Sequence, residues 1–188
     1  MSDPPILFPN ERAFVEWLAA NHDSSAGLWL RIAKKNAAIG SVTYAEALDA
    51  ALCYGWIDSQ KKSWDESSFL QRFTPRGPKS IWSKINREKI AALVAAGRMT
   101  PAGLVAVERA KTDGRWDAAY DSQRTITVPA DLEAALVRNR KAREFFATLT
   151  GANRYAVLFR IQTAKRPETR ARRIEMIVAM LARRETYH

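Results

Sequence analysis

Apolar and polar residues alternate along this chain only in its first 75 residues, and that confinement limits the folds open to it. In GLWLRIAKK, from Gly27 to Lys35, Leu28, Leu30 and Ile32 fall on one face. A period of two is that of a strand covered by a core on one side. WIDSQ (Trp56 to Gln60) and SFLQRFT (Ser68 to Thr74) read as two more strands, joined as a hairpin by the polar KKSWDES. After Pro78 the period becomes helical. The expectation is an α+β fold: a small antiparallel sheet of about three strands packed with helices, followed by a helical C-terminal third. At 188 residues the chain is read as a single domain, with an α+β part over 1–121 and a helical part over 122–188.

Local chemistry marks the helix ends. Asn10 is a good N-cap before Phe14, Trp17 and Leu18. TYAE at Thr43–Glu46 is a capping box. The helix it opens runs to about Tyr54, where Gly55 supplies a left-handed stop. Ser80 is expected to cap the helix that Gly97 ends, and Asn86 and Lys89 intrude on an apolar arc formed by Ile81, Trp82, Ile85, Ile90 and Leu93. Thr100 and Pro101 open the next helix, which ends near Gly114. Residues 115–128 look irregular. Short helices follow from Pro129, over Arg140–Leu149 and over Gly151–Ala164. Pro167 opens the last one, with a core stripe of Ile174, Ile177, Val178 and Leu181.

Several chemistries find no residues to carry them. Cys53 is the one cysteine, so no disulfide framework exists, and its helical, apolar setting reads as a packed thiol. His22 and His188 are the only histidines, too few with one thiol for a structural zinc site. No nucleophile elbow, Walker loop or dinucleotide fingerprint occurs. No metal and no cofactor are expected, and no enzymatic activity is demanded, although Asp58 or Tyr54 as an acid or base on an anionic substrate stays open. The start, MSDPPILFPNE, lacks the pattern of a signal peptide, and apolar runs are too short to span a bilayer. A cytoplasmic protein with no membrane insertion is expected.

The charge carries the functional signal. Net charge is +10. Residues 60–98 hold nine Lys/Arg against three Asp/Glu, residues 138–173 hold eleven against two, and the remainder is mildly acidic. Within the first segment, RFTPRGPKSIWSK gathers Arg72, Arg76, Lys79 and Lys84 with no acid, and Arg87 follows. Cations around a helix start oppose its dipole, whereas an anion there meets unpaired N–H groups. One reading is therefore an anion site on Arg72, Arg76, Lys79, Ser80 and Arg87. The other is a solvated basic turn. Trp82 is either core or a ligand wall, and Asn86 binds backbone or faces a ligand. YGWID supplies Tyr54, Trp56 and Asp58 as a second wall, with Asp58 either orienting a ligand or pairing with a cation such as Arg72. AKRPETRARR (Ala164 to Arg173) repeats the electrostatics at a second helix start.

Five stretches give the chain a family likeness: EALDAALCYGWIDS, RFTPRGPKSIWSKINREK, AGRMTPAGL, AKTDGRWDAAY and AKRPETRARRIEMIVAML. They resemble the YdeI/OmpD-associated, or bacteriocin-protection, family, in its order and over most of the chain from about residue 28. The segment Ser122–Val128 is unmatched. Gly77 stands where the family usually has an Arg, and Tyr54 where a Phe is common. The resemblance implies no established activity or cofactor. Its names imply protection against bacteriocins or antimicrobial peptides and association with a porin, the latter at odds with the absence of a signal peptide. The expectation is a non-enzymatic binder of an anionic small molecule or acidic peptide group. A non-specific nucleic-acid binder is the alternative, less favoured because no nucleic-acid motif occurs.

Overall fold

The computed structural model describes residues 4–187; Met1–Asp3, at the head of the segment read for a signal peptide, and His188 lie outside the described residues. Three strands, β1 (Leu28–Ala33), β2 (Trp56–Ser63) and β3 (Ser68–Pro75), form an antiparallel sheet in the order β1-β3-β2. Eight helices complete the described residues: α1 (Glu11–Asn21), α2 (Tyr44–Cys53), α3 (Lys84–Ala95), α4 (Pro101–Thr112), α5 (Ala130–Val137), α6 (Arg140–Thr148), α7 (Gly151–Gln162) and α8 (Pro167–Ala182). The fold is α+β, as the confined alternation implies. The chain divides into two compact units. One runs up to Ile81 and again over Asn86–Asp117; the other takes Trp82–Ile85 and everything from Ala118 on.

The first unit is built on the sheet. Leu28, Leu30 and Ile32 of β1 are buried with Phe73 of β3 and Trp56 of β2, and α1 adds Phe14 and Leu18. The Asn10 side chain accepts from the Ala13 N–H at 3.0 Å and starts α1. At α2 the Thr43 N–H donates to Glu46 at 2.8 Å and the Glu46 N–H to the Thr43 hydroxyl at 3.3 Å, the reciprocal box the sequence spells out. The Thr43 N–H first, and then the Thr43 hydroxyl at 2.8 Å, hold the Glu46 carboxyl below its ordinary range. Gly55, at φ 74°, turns the chain from α2 straight into β2. Gly103 on α4 lies so close to α2 that an added Cβ would stand 2.2 Å from the Cys53 carbonyl oxygen. The Thr100 hydroxyl donates to that same oxygen at 2.6 Å while capping α4. Cys53 is buried, and burial pushes its thiol up, as suits a packed residue.

The second unit closes its own core. Leu132 and Leu136 of α5, Ala142 and Phe146 of α6, Val157, Leu158 and Ile161 of α7, and Ile174, Ile177 and Leu181 of α8 form one buried cluster. The α8 stripe expected at 3.6-residue spacing is the stripe that is buried.

Two boundaries differ from expectation. The strand β2 runs on through Lys61 and Lys62 to Ser63, so the hairpin link is shorter than KKSWDES. Helix α3 begins at Lys84, not after Ser80. Ser83, just before it, forms a bridge to Tyr120 instead: the Tyr120 N–H donates to the Trp82 carbonyl and the Lys84 N–H to the Tyr120 carbonyl, each at 2.9 Å. With the helix start moved, Ile81 and Ile85 are 42% and 46% exposed and the expected arc does not form.

Candidate functional site

The basic turn is occupied by the protein itself. Ser80 caps no helix: its N–H closes a turn onto the Gly77 carbonyl at 3.1 Å. Its carbonyl accepts from Arg115 at 2.8 Å. Arg76 donates to the Ile81 carbonyl at 3.2 Å. Arg87 donates to the Trp116 carbonyl at 2.9 Å, with its guanidinium 5.2 Å from the centre of the Trp116 ring. Lys84 meets Asp121 at 2.7 Å. That carboxyl is held below its ordinary range by Lys84 first and also by Gln162. The acid missing from the local sequence thus arrives from 37 residues on. Lys79 is exposed.

The aromatic wall also turns inward. Trp56 is 1% exposed, its indole N–H donating to the His22 carbonyl at 3.1 Å. It stands edge-on to Trp17 at 5.8 Å. Trp82 is 1% exposed and belongs to the other compact unit. Asn86 is half-buried on α3. Tyr54 is half-buried with its ring 5.2 Å from His22. Asp58 lies opposite Phe73 in the β2–β3 register, on the face of Trp56 rather than away from the core, and accepts the Tyr44 hydroxyl at 2.7 Å. Arg72, the neighbour of Phe73, points to the other face, where its guanidinium lies 5.9 Å from the centre of the Trp29 ring. Strand alternation therefore separates Asp58 from the cation expected to pair with it. The structure keeps Arg72, Arg76 and Ser80 on one short path but does not assemble the ten expected residues into a single open site.

An open basic cleft lies elsewhere in the first unit. Since β1 and β2 both run antiparallel to β3, they run the same way, and their C-terminal ends fall at one end of the sheet. Each end carries a lysine pair. Lys34 and Lys35 follow β1, while Lys61 and Lys62 close β2. Phe69 of β3 sits between them, abreast of Ile32 and Ser63. Together with Ala33 these residues line a cavity of about 530 Å³, and no carboxylate is among its lining residues. Ligand cavities run from ~300 to 1,000 Å³. The Lys61 ammonium lies 4.2 Å from the centre of the Phe69 ring. Lys34 donates to the Asp65 carbonyl at 2.7 Å.

Asp65 anchors the hairpin beside this cleft. It accepts from the Ser67 and Ser68 N–H groups and from both hydroxyls, at 2.7–2.9 Å, and from Arg31 at 2.8 Å. The Ser68 hydroxyl is the largest cause holding its carboxyl at about 2. Asp65 is thus spent on the backbone and Arg31, and it leaves the lysines' charge standing.

Two exposed ammoniums about 8 Å apart in water repel by only ~0.5 kcal/mol. The cluster costs the fold little, yet its field adds up for an incoming anion. Sequence reading passes over these lysines because Lys34 and Lys35 read as a strand end and Lys61 and Lys62 as part of the polar hairpin link. The signal was their repetition, AKK and QKK, at the ends of two strands that run in parallel.

In the second unit a larger groove of about 700 Å³ lies between α5 and α8, floored by Ala135, Ile174 and Val178. Its Asp131 and Arg170 are paired at 2.6 Å, which holds the Asp131 carboxyl below its usual range. Among the described residues, no group of three or more metal-ligating side chains occurs, and no helix is long and apolar enough to cross a membrane.

Comparison with known proteins divides the chain much as its contacts do. The family described as Domain of unknown function (DUF8412) matches residues 6–106, the greater part of the sheet-bearing unit. The family described as Bacteriocin-protection, YdeI or OmpD-Associated matches residues 125–184, four helices of the second unit. The likeness seen in the motifs is thus carried by the C-terminal part; EALDAALCYGWIDS, RFTPRGPKSIWSKINREK and AGRMTPAGL fall entirely within the other family's match. No curated protein and no solved structure matches. The chain belongs to the DUF8412 domain family, and its residues 125–184 are similar to the YdeI/OmpD-associated family.

Proposed function

We propose that this protein is a non-catalytic binder of polyanionic ligands, and that it holds them in the lysine cleft at the end of the sheet. The supporting observation is the convergence of Lys34, Lys35, Lys61 and Lys62 on one open cavity whose lining contains no acid. Lysine acts here as a mobile point charge suited to phosphates or clustered carboxylates. The cleft presents no carboxylate, thiol or imidazole, so it offers binding without an acid–base pair. An acidic peptide group meets the same chemistry, which accords with the bacteriocin-protection description attached to the C-terminal family match.

Calorimetric titration with sodium triphosphate at about 50 mM NaCl tests the reading. Binding is expected in the wild type, with a loss of tenfold or more in Lys35→Ala/Lys61→Ala. Lys79→Glu, on the basic turn, should bind as the wild type does. If Lys79→Glu abolishes binding while the lysine double variant retains it, the ligand sits on the turn and the cleft reading is wrong.

A further inference from the structure

We infer that the polyanion is single-stranded nucleic acid, an inference that rests on the cleft being an anion site and adds what lies beside it. The cleft is one end of a basic and aromatic strip. Lys62, which lines it, lies 4.4 Å from the centre of the Trp29 ring. Arg72, opposite Trp29 in the register, lies 5.9 Å from that same ring. Lys62 faces Leu70 and Arg72 faces Trp29, two residues apart along β3, so they share one face of the sheet. On the opposite face, reached around the end of β2, Lys61 covers Phe69 at 4.2 Å. Trp64, at the hairpin tip directly after this strip, is 52% exposed.

Each platform ring thus carries a cation on it in the free protein. An exposed lysine is held there by only ~0.5–1 kcal/mol. A base stacked on the ring displaces the ammonium, and the ammonium swings to the phosphate beside that base. Both halves of the nucleotide are met by the same pair of residues, Lys61 with Phe69 and Lys62 with Trp29. Single-strand binders use this combination of a basic groove and π-faces. A duplex keeps its bases stacked and offers none to the rings. A small phosphate uses the cleft but leaves Trp29, Arg72 and Trp64 idle.

The test is fluorescence anisotropy of a labelled 20-nucleotide oligothymidylate with the full chain. If about four phosphates are neutralised, log K falls with log salt at a slope near −2.8, so affinity drops about 50-fold between 50 and 200 mM NaCl. Lys61→Ala/Lys62→Ala should weaken binding at least tenfold and flatten that slope. Trp64→Ala, at an exposed position, should weaken it about fivefold or more and leave the slope unchanged. The control Lys141→Ala/Lys165→Ala removes the same charge from exposed positions in the second unit. An equal loss in that control would mean that binding follows net charge alone and would overturn the proposal. So would equal affinity for a 20-base-pair duplex, or tighter binding to phosphatidylserine vesicles than to the oligonucleotide. Triphosphate binding without oligonucleotide binding also overturns it, while leaving the small-anion reading intact. If neither ligand binds, both readings fall.

Discussion

Asp65 and Trp82 show how much single residues bear, each within its own compact unit. The Asp65 carboxylate accepts from two backbone amides, two hydroxyls and Arg31 at the hairpin next to the lysines. Its carboxyl is thereby brought down to about 2, chiefly by the Ser68 hydroxyl. A folded-state pKa below the unfolded one stabilises the fold fully above about pH 4, and that contribution is lost as pH falls toward 2. NMR titration of the Asp65 carboxyl should give a midpoint near 2, and one near 4 would mean that the hydroxyl network is not formed. Trp82 is buried to 1% exposure, so Trp82→Ala should cost about 3–5 kcal/mol in denaturant melts. A cost below ~1 kcal/mol would return Trp82 to the role of ligand wall that its place in the basic turn suggests.

At the scale of elements, what the sequence disclosed was what neighbouring residues decide. The Thr43/Glu46 box, the Gly55 stop and the Thr100/Pro101 start each follow from bonds within a few residues, and each is found where it is expected. Thr43→Ala should therefore lower stability by about 1 kcal/mol, read from the shift of the denaturation midpoint at constant slope. No change at all would mean that Glu46 alone satisfies the helix start. The beginning of α3 was not legible, because Tyr120 fixes it by accepting from the Lys84 N–H across 36 residues. The cleft was hidden for the same reason. Lys34 and Lys61 are 27 positions apart and meet only through the order β1-β3-β2. Composition shows the excess of cations, but only strand direction could say which of the thirty stand together.

Over the whole molecule, the path of the chain ties the two compact units together covalently. It passes between them at 81/82, returns at 85/86 and leaves again at 117/118. The four residues Trp82–Ile85 are thus counted with a unit whose remainder begins 33 residues later. Two backbone bonds to Tyr120 secure them there. The Lys84–Asp121 pair adds to these bonds, and Asp121 is itself held by Gln162 and lies beneath the Tyr155 hydroxyl. The two family matches, ending at 106 and starting at 125, suggest two separable modules. The crossing argues against that. A chain ended at Asp117 keeps the sheet, the cleft and α4, but residues 82–84 lose Tyr120 and Asp121 together. The N-terminus of α3 then loses the backbone acceptor for its first N–H, and a lost hydrogen bond costs ~0.5–1.5 kcal/mol. The fragment is expected to melt at least several degrees below the full chain, with tryptophan emission shifted to the red as Trp82 meets water. Melting at the same temperature with unshifted emission would show that the sheet-bearing unit folds without its partner, and that the crossing is only a route the chain takes.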